Sequence, residues 1–173
     1  MKKKHLIIVL LVLTCFGCRR TQVIDIPSPE KNSIDDRLLN ANRYIASSEQ
    51  TQIQGYASRR GWKMEQLPCG AWLQCYSQGT ASPIGYEDRV VVRYRVSTLT
   101  DIVLYDWRED TLTVGRREAT VALDEALMRM RPGSKAHLLT PSEAAYGVMG
   151  DGDRVPSRTV LRYDITATSI LNR

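Results

Sequence analysis

Phenylalanine is almost missing from this 173-residue chain: the single one, Phe16, falls inside the N-terminal leader. Histidine is nearly as scarce, with His137 the only one beyond that leader. One histidine and scattered cysteines supply no zinc site of familiar spacing. No G-x-S-x-G stretch occurs, which removes a nucleophile elbow of that type. Long apolar runs are lacking too: Leu6 to Leu13 is too short for a bilayer span, where roughly 20 residues are needed. Net charge is small. The chain holds 24 basic and 19 acidic residues, and setting aside Lys2, Lys3 and Lys4 leaves 21 against 19. That balance, without a basic stripe interleaved with aromatics, gives no footing for nucleic acid.

What is present begins with three lysines and the short apolar run, which together read as a secretory signal over residues 1–17. The run ends in Cys15-Phe16-Gly17-Cys18, and a small residue followed by cysteine resembles the lipobox of bacterial lipoproteins. That resemblance implies a lipidated Cys18 and a chain anchored in the cell envelope, on the outer membrane facing the periplasm. The leucine usual three residues before such a cysteine is Cys15 here, and an ordinary cleaved signal is the alternative. Residues 18–32, with two prolines and few bulky apolar side chains, read as a tether.

Two short helices are expected over residues 33–61. Ser33 and Asp36 have capping-box spacing, with Ile34, Leu38, Ala41 and Ile45 on one face; Ser48 would cap a second helix over Glu49–Arg59, stopped by Gly61. From Trp62 the period changes to two, defining a domain over 62–173. Strands are expected near 72–77, 88–97, 101–105, 111–114, 134–140 and 158–169. One helix fits "ATVALDEALMRMRPG", where Val121, Leu123, Leu127 and Met130 share a face and Pro132-Gly133 ends it. The fold class is α+β, a curved antiparallel sheet wrapped around one short helix. Cys69 and Cys75 lie too far apart along a strand to bridge, since six residues cover roughly 20 Å. His137 reads as a solvent-facing strand residue.

The stretch "PSEAAYGVMGDGDRVPSRTVLRYDITATSI" places Tyr146 at the mouth of a glycine-containing loop that returns into a strand. Gly147, Gly150 and Gly152 do not form G-x-G-x-x-G and do not lie between a strand and a helix, so a dinucleotide cradle fails on context. Asp151 and Asp153 lack the remaining oxygen ligands of a calcium loop. "KAHLLTPSEAAYG" followed by "VPSRTVLRYDITATSI" instead resembles the C-terminal half of FKBP-type peptidyl-prolyl isomerases. "VVVRYRV", "VLYD" and "LDEALMRMRPGSK" resemble that family's upstream pieces in the same order.

The resemblance covers roughly residues 70–173 and implies an FKBP-like fold and prolyl isomerisation. Proline-containing polypeptide clients are its implied partners, and no cofactor is needed. It implies a pocket walled by Tyr94 and Tyr105 with Asp106 beside them and Leu123 as its floor. Thr120 would offer a backbone N–H, Tyr146 would point a hydroxyl inward, and Val155 and Tyr163 would close the other side. The chain departs from the family at Leu123, where tryptophan is frequent, and at Ala119-Thr120, Val96 and Arg154. The strand tyrosines would serve equally as core aromatics, so a non-catalytic FKBP-fold binding or scaffold lipoprotein stands beside the isomerase reading.

Overall fold

The computed structural model describes residues 31–172. The expected signal, most of the tether and Cys18 lie outside them. Contacts divide the chain after Leu38. Of the first unit the described residues are the opening turns of a helix, with Ile34 and Leu38 exposed. Leu39–Arg173 forms the second unit, which carries the rest of the architecture.

A single helix, α1 (Lys31–Arg59), replaces the two short ones expected. Ser48, the expected cap, lies inside the helix, and beside it Ser47 donates its hydroxyl back to the Tyr44 carbonyl. Thr51 does the same to Ser47. Hydroxyls satisfied within the preceding turns do not compete with the helix, and no proline or glycine interrupts it there. None of the described helices is long and apolar enough to cross a membrane.

Six antiparallel strands follow: β1 (Glu65–Gln66), β2 (Trp72–Ser77), β3 (Arg89–Thr98), β4 (Val103–Thr113), β5 (Lys135–Thr140) and β6 (Leu161–Asn172). Their spatial order is β1-β2-β5-β6-β3-β4. The sequence divides β4 in two, with strands expected near 101–105 and 111–114 and the charged "DWRED" between them. In the fold Arg108, Glu109 and Asp110 pair with β3, and the Arg93 and Arg95 guanidinium groups lie over the Trp107 ring at 5.1 and 5.3 Å.

Alternation sets the inner face. Val90, Val92, Tyr94 and Val96 of β3 join Tyr163, Ile165 and Ala167 of β6, all buried against a helix, α2 (Val121–Leu127). That helix contributes Leu123 and Leu127, each burial being worth about 2 kcal/mol. Thr120 is its N-cap, accepting from the Leu123 N–H.

The outer face is covered as well. Ile53, Tyr56 and Ala57 of α1 pack with Leu139 and Val160, flanked by Trp62 and Trp72. His137 is not free on this face. It lies between the rings of Trp62 at 4.1 Å and Tyr76 at 4.6 Å, and its Nδ1 is 2.8 Å from Asp164. Strand alternation correctly puts it outward, but aromatics from two other segments cover it there. Arg95 and Arg162 also reach Asp164. Desolvation pushes the Asp164 carboxyl up, and these cationic and hydrogen-bonding partners outweigh it, holding it at about 2. Cys69 and Cys75 are free thiols; burial pushes both up, Cys69 to about 11.

Candidate functional site

Between α2, β3, β4 and the turn after β5 lies a cavity of about 600 Å³. Five of the eight residues expected at a pocket line it: Tyr94, Thr120, Leu123, Tyr146 and Tyr163. Leu123 sits in the first turn of α2. Among the described residues no protein acceptor takes the N–H of Thr120. A short 3₁₀ turn, Ser142–Ala144, follows β5 and delivers Tyr146. The Ser142 carbonyl accepts from the N–H groups of Ala145 and Gly147, on either side of that tyrosine.

Tyr163 is 1% exposed, and its hydroxyl makes no hydrogen bond. Burial pushes the phenol well above its ordinary value, with Tyr146 adding to the effect. An unpaired hydroxyl in such a place is costly unless a ligand or water supplies the partner.

Tyr105, Asp106 and Val155 do not line the cavity. Val155 is buried in the core behind it. Tyr105 packs at its edge and donates to Asp151, which pushes the phenol up to about 12. Asp151 in turn accepts from the backbone N–H groups of Asp153, Arg154 and Val155. Desolvation pushes its carboxyl up, but Tyr105 and those amides prevail and hold it at about 2. Asp151 therefore organises the glycine loop itself.

Asp106 is exposed, and its carboxylate accepts from the adjacent Trp107 N–H. The cause is a bulge. Val96 pairs with Tyr105, yet Tyr94 pairs with Arg108, so β4 gains one residue at Asp106–Trp107. A bulge reverses which residues face inward beyond it. Inward positions therefore run Tyr105, then Arg108, Asp110 and Leu112. Asp110 takes the place expected of Asp106: it accepts from the Tyr94 hydroxyl at 2.6 Å. Arg108 lies over the rings of Tyr94 and Tyr105 and pairs with Asp110 at 3.5 Å. Burial, with the Asp110 acceptor, pushes the Tyr94 phenol up.

Arg108, Asp110 and Glu118, three charged lining residues, were not expected from the sequence. Counting back in twos from Leu112 would have found the first two. No histidine, cysteine or lysine lines the cavity. The site offers an apolar floor, backbone and phenolic donors, and a fixed ion pair at its wall.

A profile of the FKBP-type peptidyl-prolyl cis-trans isomerases matches residues 82–168, half of the chain. The chain belongs to the FKBP-type peptidyl-prolyl cis-trans isomerase family. The macrophage infectivity potentiator of Trypanosoma cruzi is 30% identical over 139 residues, which cover 72% of this chain and 70% of that protein. The FKBP-type fold recurs in a peptidyl-prolyl cis-trans isomerase from Pseudomonas syringae pv. tomato. That structure has a TM-score of 0.62 and 24% identity, covering 74% of this chain and 94% of its own. The N-terminal domain of FKBP42 from Arabidopsis thaliana superposes with a TM-score of 0.59 at 20% identity, covering 64% and 93%. The FKBP-type core thus extends from the segment before β3 through most of β6.

Proposed function

We propose that this cavity binds the prolyl ring of polypeptide clients and accelerates cis–trans isomerisation of the preceding amide. The carrying observation is the convergence of Tyr94, Leu123, Tyr146 and Tyr163 with the unpaired Thr120 N–H in one cavity. A prolyl bond isomerises slowly because twisting the amide removes its resonance, a barrier of about 18–20 kcal/mol. An apolar floor disfavours the planar, more dipolar amide, while donors at Thr120 and Tyr146 hold the client's carbonyl groups. Each ~1.4 kcal/mol so gained is tenfold in rate. No proton transfer is required, which suits a lining without histidine, cysteine or lysine.

The clients on this reading are exported proteins, and the chain is held at the envelope through Cys18. The support is the lysine-plus-apolar leader ending in Gly17-Cys18. Mass spectrometry of the mature N-terminus tests the anchor: an unmodified start away from Cys18 overturns it.

A proline-limited refolding assay tests catalysis. Wild type is compared with a Tyr146→Phe/Asp110→Ala double variant, with folding checked by circular dichroism. Faster refolding by wild type alone supports the enzyme. Equal, uncatalysed rates from two folded proteins overturn it in favour of a binding module. The charged wall of Arg108, Asp110 and Glu118 and the small Leu123 floor are what favour that second reading.

A further inference from the structure

Glu49 of α1 lies outside the cavity, yet it is 5% exposed. A buried carboxylate is costly unless donors satisfy it. Both of its oxygens are satisfied by one residue, 93 positions along the chain. The Ser142 N–H donates to Oε2 at 2.9 Å, and the Ser142 hydroxyl donates to Oε1 at 2.6 Å. Glu49 heads the helix stripe that continues through Ile53 and Tyr56 onto the outer sheet face, one residue every three or four. Tyr56 donates to Asp101 and accepts from Arg162, so that stripe is pinned by polar bonds as well as by packing.

Ser142 then passes the constraint on. Its carbonyl accepts from Ala145 N at 3.1 Å and Gly147 N at 2.7 Å, the two amides that bracket Tyr146. The segment has left β5 and makes only a three-residue 3₁₀ turn; besides these bonds it is held by the packing of Ala144, Ala145 and Tyr146 on the core and by the Arg158 N–H donating to the Gly147 carbonyl. Two hydrogen-bonded steps therefore connect the helix to the residues beside the tyrosine: Ser142 to Glu49, and Ala145 and Gly147 to Ser142; Tyr146 is joined covalently between those two residues.

We propose that Glu49 is a positioning residue for Tyr146, so that α1 sets the geometry of the cavity from the far side of the turn. The effect on turnover rests on the isomerase reading; the effect on the turn does not. Without Glu49, Ser142 keeps its covalent place but loses the acceptor that fixes its backbone, and Tyr146 samples a wider range of positions.

The test uses the full chain with Glu49→Ala, Glu49→Gln and Ser142→Ala, each alone and combined with Tyr146→Phe. Amide hydrogen exchange is followed by NMR beside proline-limited refolding. In Glu49→Ala the amides of Ala145 and Gly147 should exchange about tenfold faster while those of Val92 and Ile165 stay within about twofold. Turnover should fall several-fold in Glu49→Ala alone, and by less than about twofold when Tyr146→Phe is already present. Glu49→Gln, which keeps one acceptor oxygen and the side-chain volume, should be intermediate and carries the test if Glu49→Ala does not fold. Unchanged exchange at Ala145 and Gly147 in a folded Glu49 variant overturns the proposal, as does full additivity with Tyr146→Phe. A protein without isomerase activity but with faster exchange at these amides sinks the enzyme reading and leaves the positioning role standing.

Discussion

Tyr94 and Asp110 meet diagonally across β3 and β4. Tyr94 is in register with Arg108, and Asp110 with Val92, yet the phenol donates to the carboxylate at 2.6 Å. Diagonal neighbours on one sheet face are within reach of a long aromatic side chain. The bond fixes the tyrosine wall and draws Arg108 over it.

Replacing that acceptor should matter more than replacing the aspartate beside Tyr105. Asp110→Ala removes a hydrogen bond to a charged group and should slow client refolding about tenfold. Asp106→Ala, on an exposed side chain, should stay within about twofold. Paired refolding assays decide it, and the reverse ranking would restore Asp106 to the site.

Tyr163→Phe deletes a buried hydroxyl that has no partner. The expected result is a gain of about 1 kcal/mol in stability, read as a higher urea midpoint with an unchanged slope. A proline-containing peptide should also bind more tightly, because the floor becomes less polar. A lower midpoint would mean that an ordered water satisfies the hydroxyl.

Asp151 and Asp164 are both held at about 2 in the folded chain. Unfolded, each returns to roughly 3.9. Depressed carboxyls add stability above the unfolded value and lose it as pH falls towards the folded one. Stability from this source should therefore be constant above about pH 5 and decline between roughly pH 4 and 2. Asp164→Asn should flatten about half of that decline, since Asp151 is depressed equally, and should cost stability at neutral pH because it leaves Arg95 and Arg162 without their carboxylate. Urea titrations across the pH series provide the measurement.

Gly150 adopts φ +73°, and a Cβ there would lie 2.1 Å from the Val155 carbonyl oxygen. That distance cannot be met without moving the loop. Gly150→Ala should therefore disturb the amides of residues 151–155 and the Tyr105–Asp151 bond, costing 1–3 kcal/mol on the order usual for such strain. Gly152, at φ +78° but with open space around its Cβ position, carries the backbone strain without the clash, so Gly152→Ala should cost less than Gly150→Ala.

Much of the sheet was legible because the "RVVVRYRV" and "TVLRYDITATSI" stretches of β3 and β6 alternate, placing Val90, Val92, Tyr94 and Val96 with Tyr163, Ile165 and Ala167 on one buried face. The β4 strand was not, since its charged middle is stabilised by partners on β3 that periodicity along one strand does not reveal. The same limit hid the cover over His137, whose neighbours Trp62 and Tyr76 come from other segments. At the site, residue order was enough to place Tyr94, Thr120, Leu123, Tyr146 and Tyr163 on one cavity. A single extra residue at Asp106–Trp107 was enough to misplace the aspartate. Bulges shift parity without a compositional mark, so counting forward from Tyr105 misses Asp110, whereas counting back in twos from Leu112 reaches it.

The placement of the indoles has a practical consequence. The chain has three tryptophans. Trp62 and Trp72 belong to the cluster where α1 meets the outer sheet face, Trp107 lies on β4 under two arginines, and the cavity wall includes none. Intrinsic emission should accordingly follow the seating of the helix, and Trp62 against His137 should make it sensitive to events on that face. Titrating a prolyl ligand into the cavity should leave the same signal nearly silent. The molecule carries a built-in optical reporter for its N-terminal helix and needs an external label for its pocket.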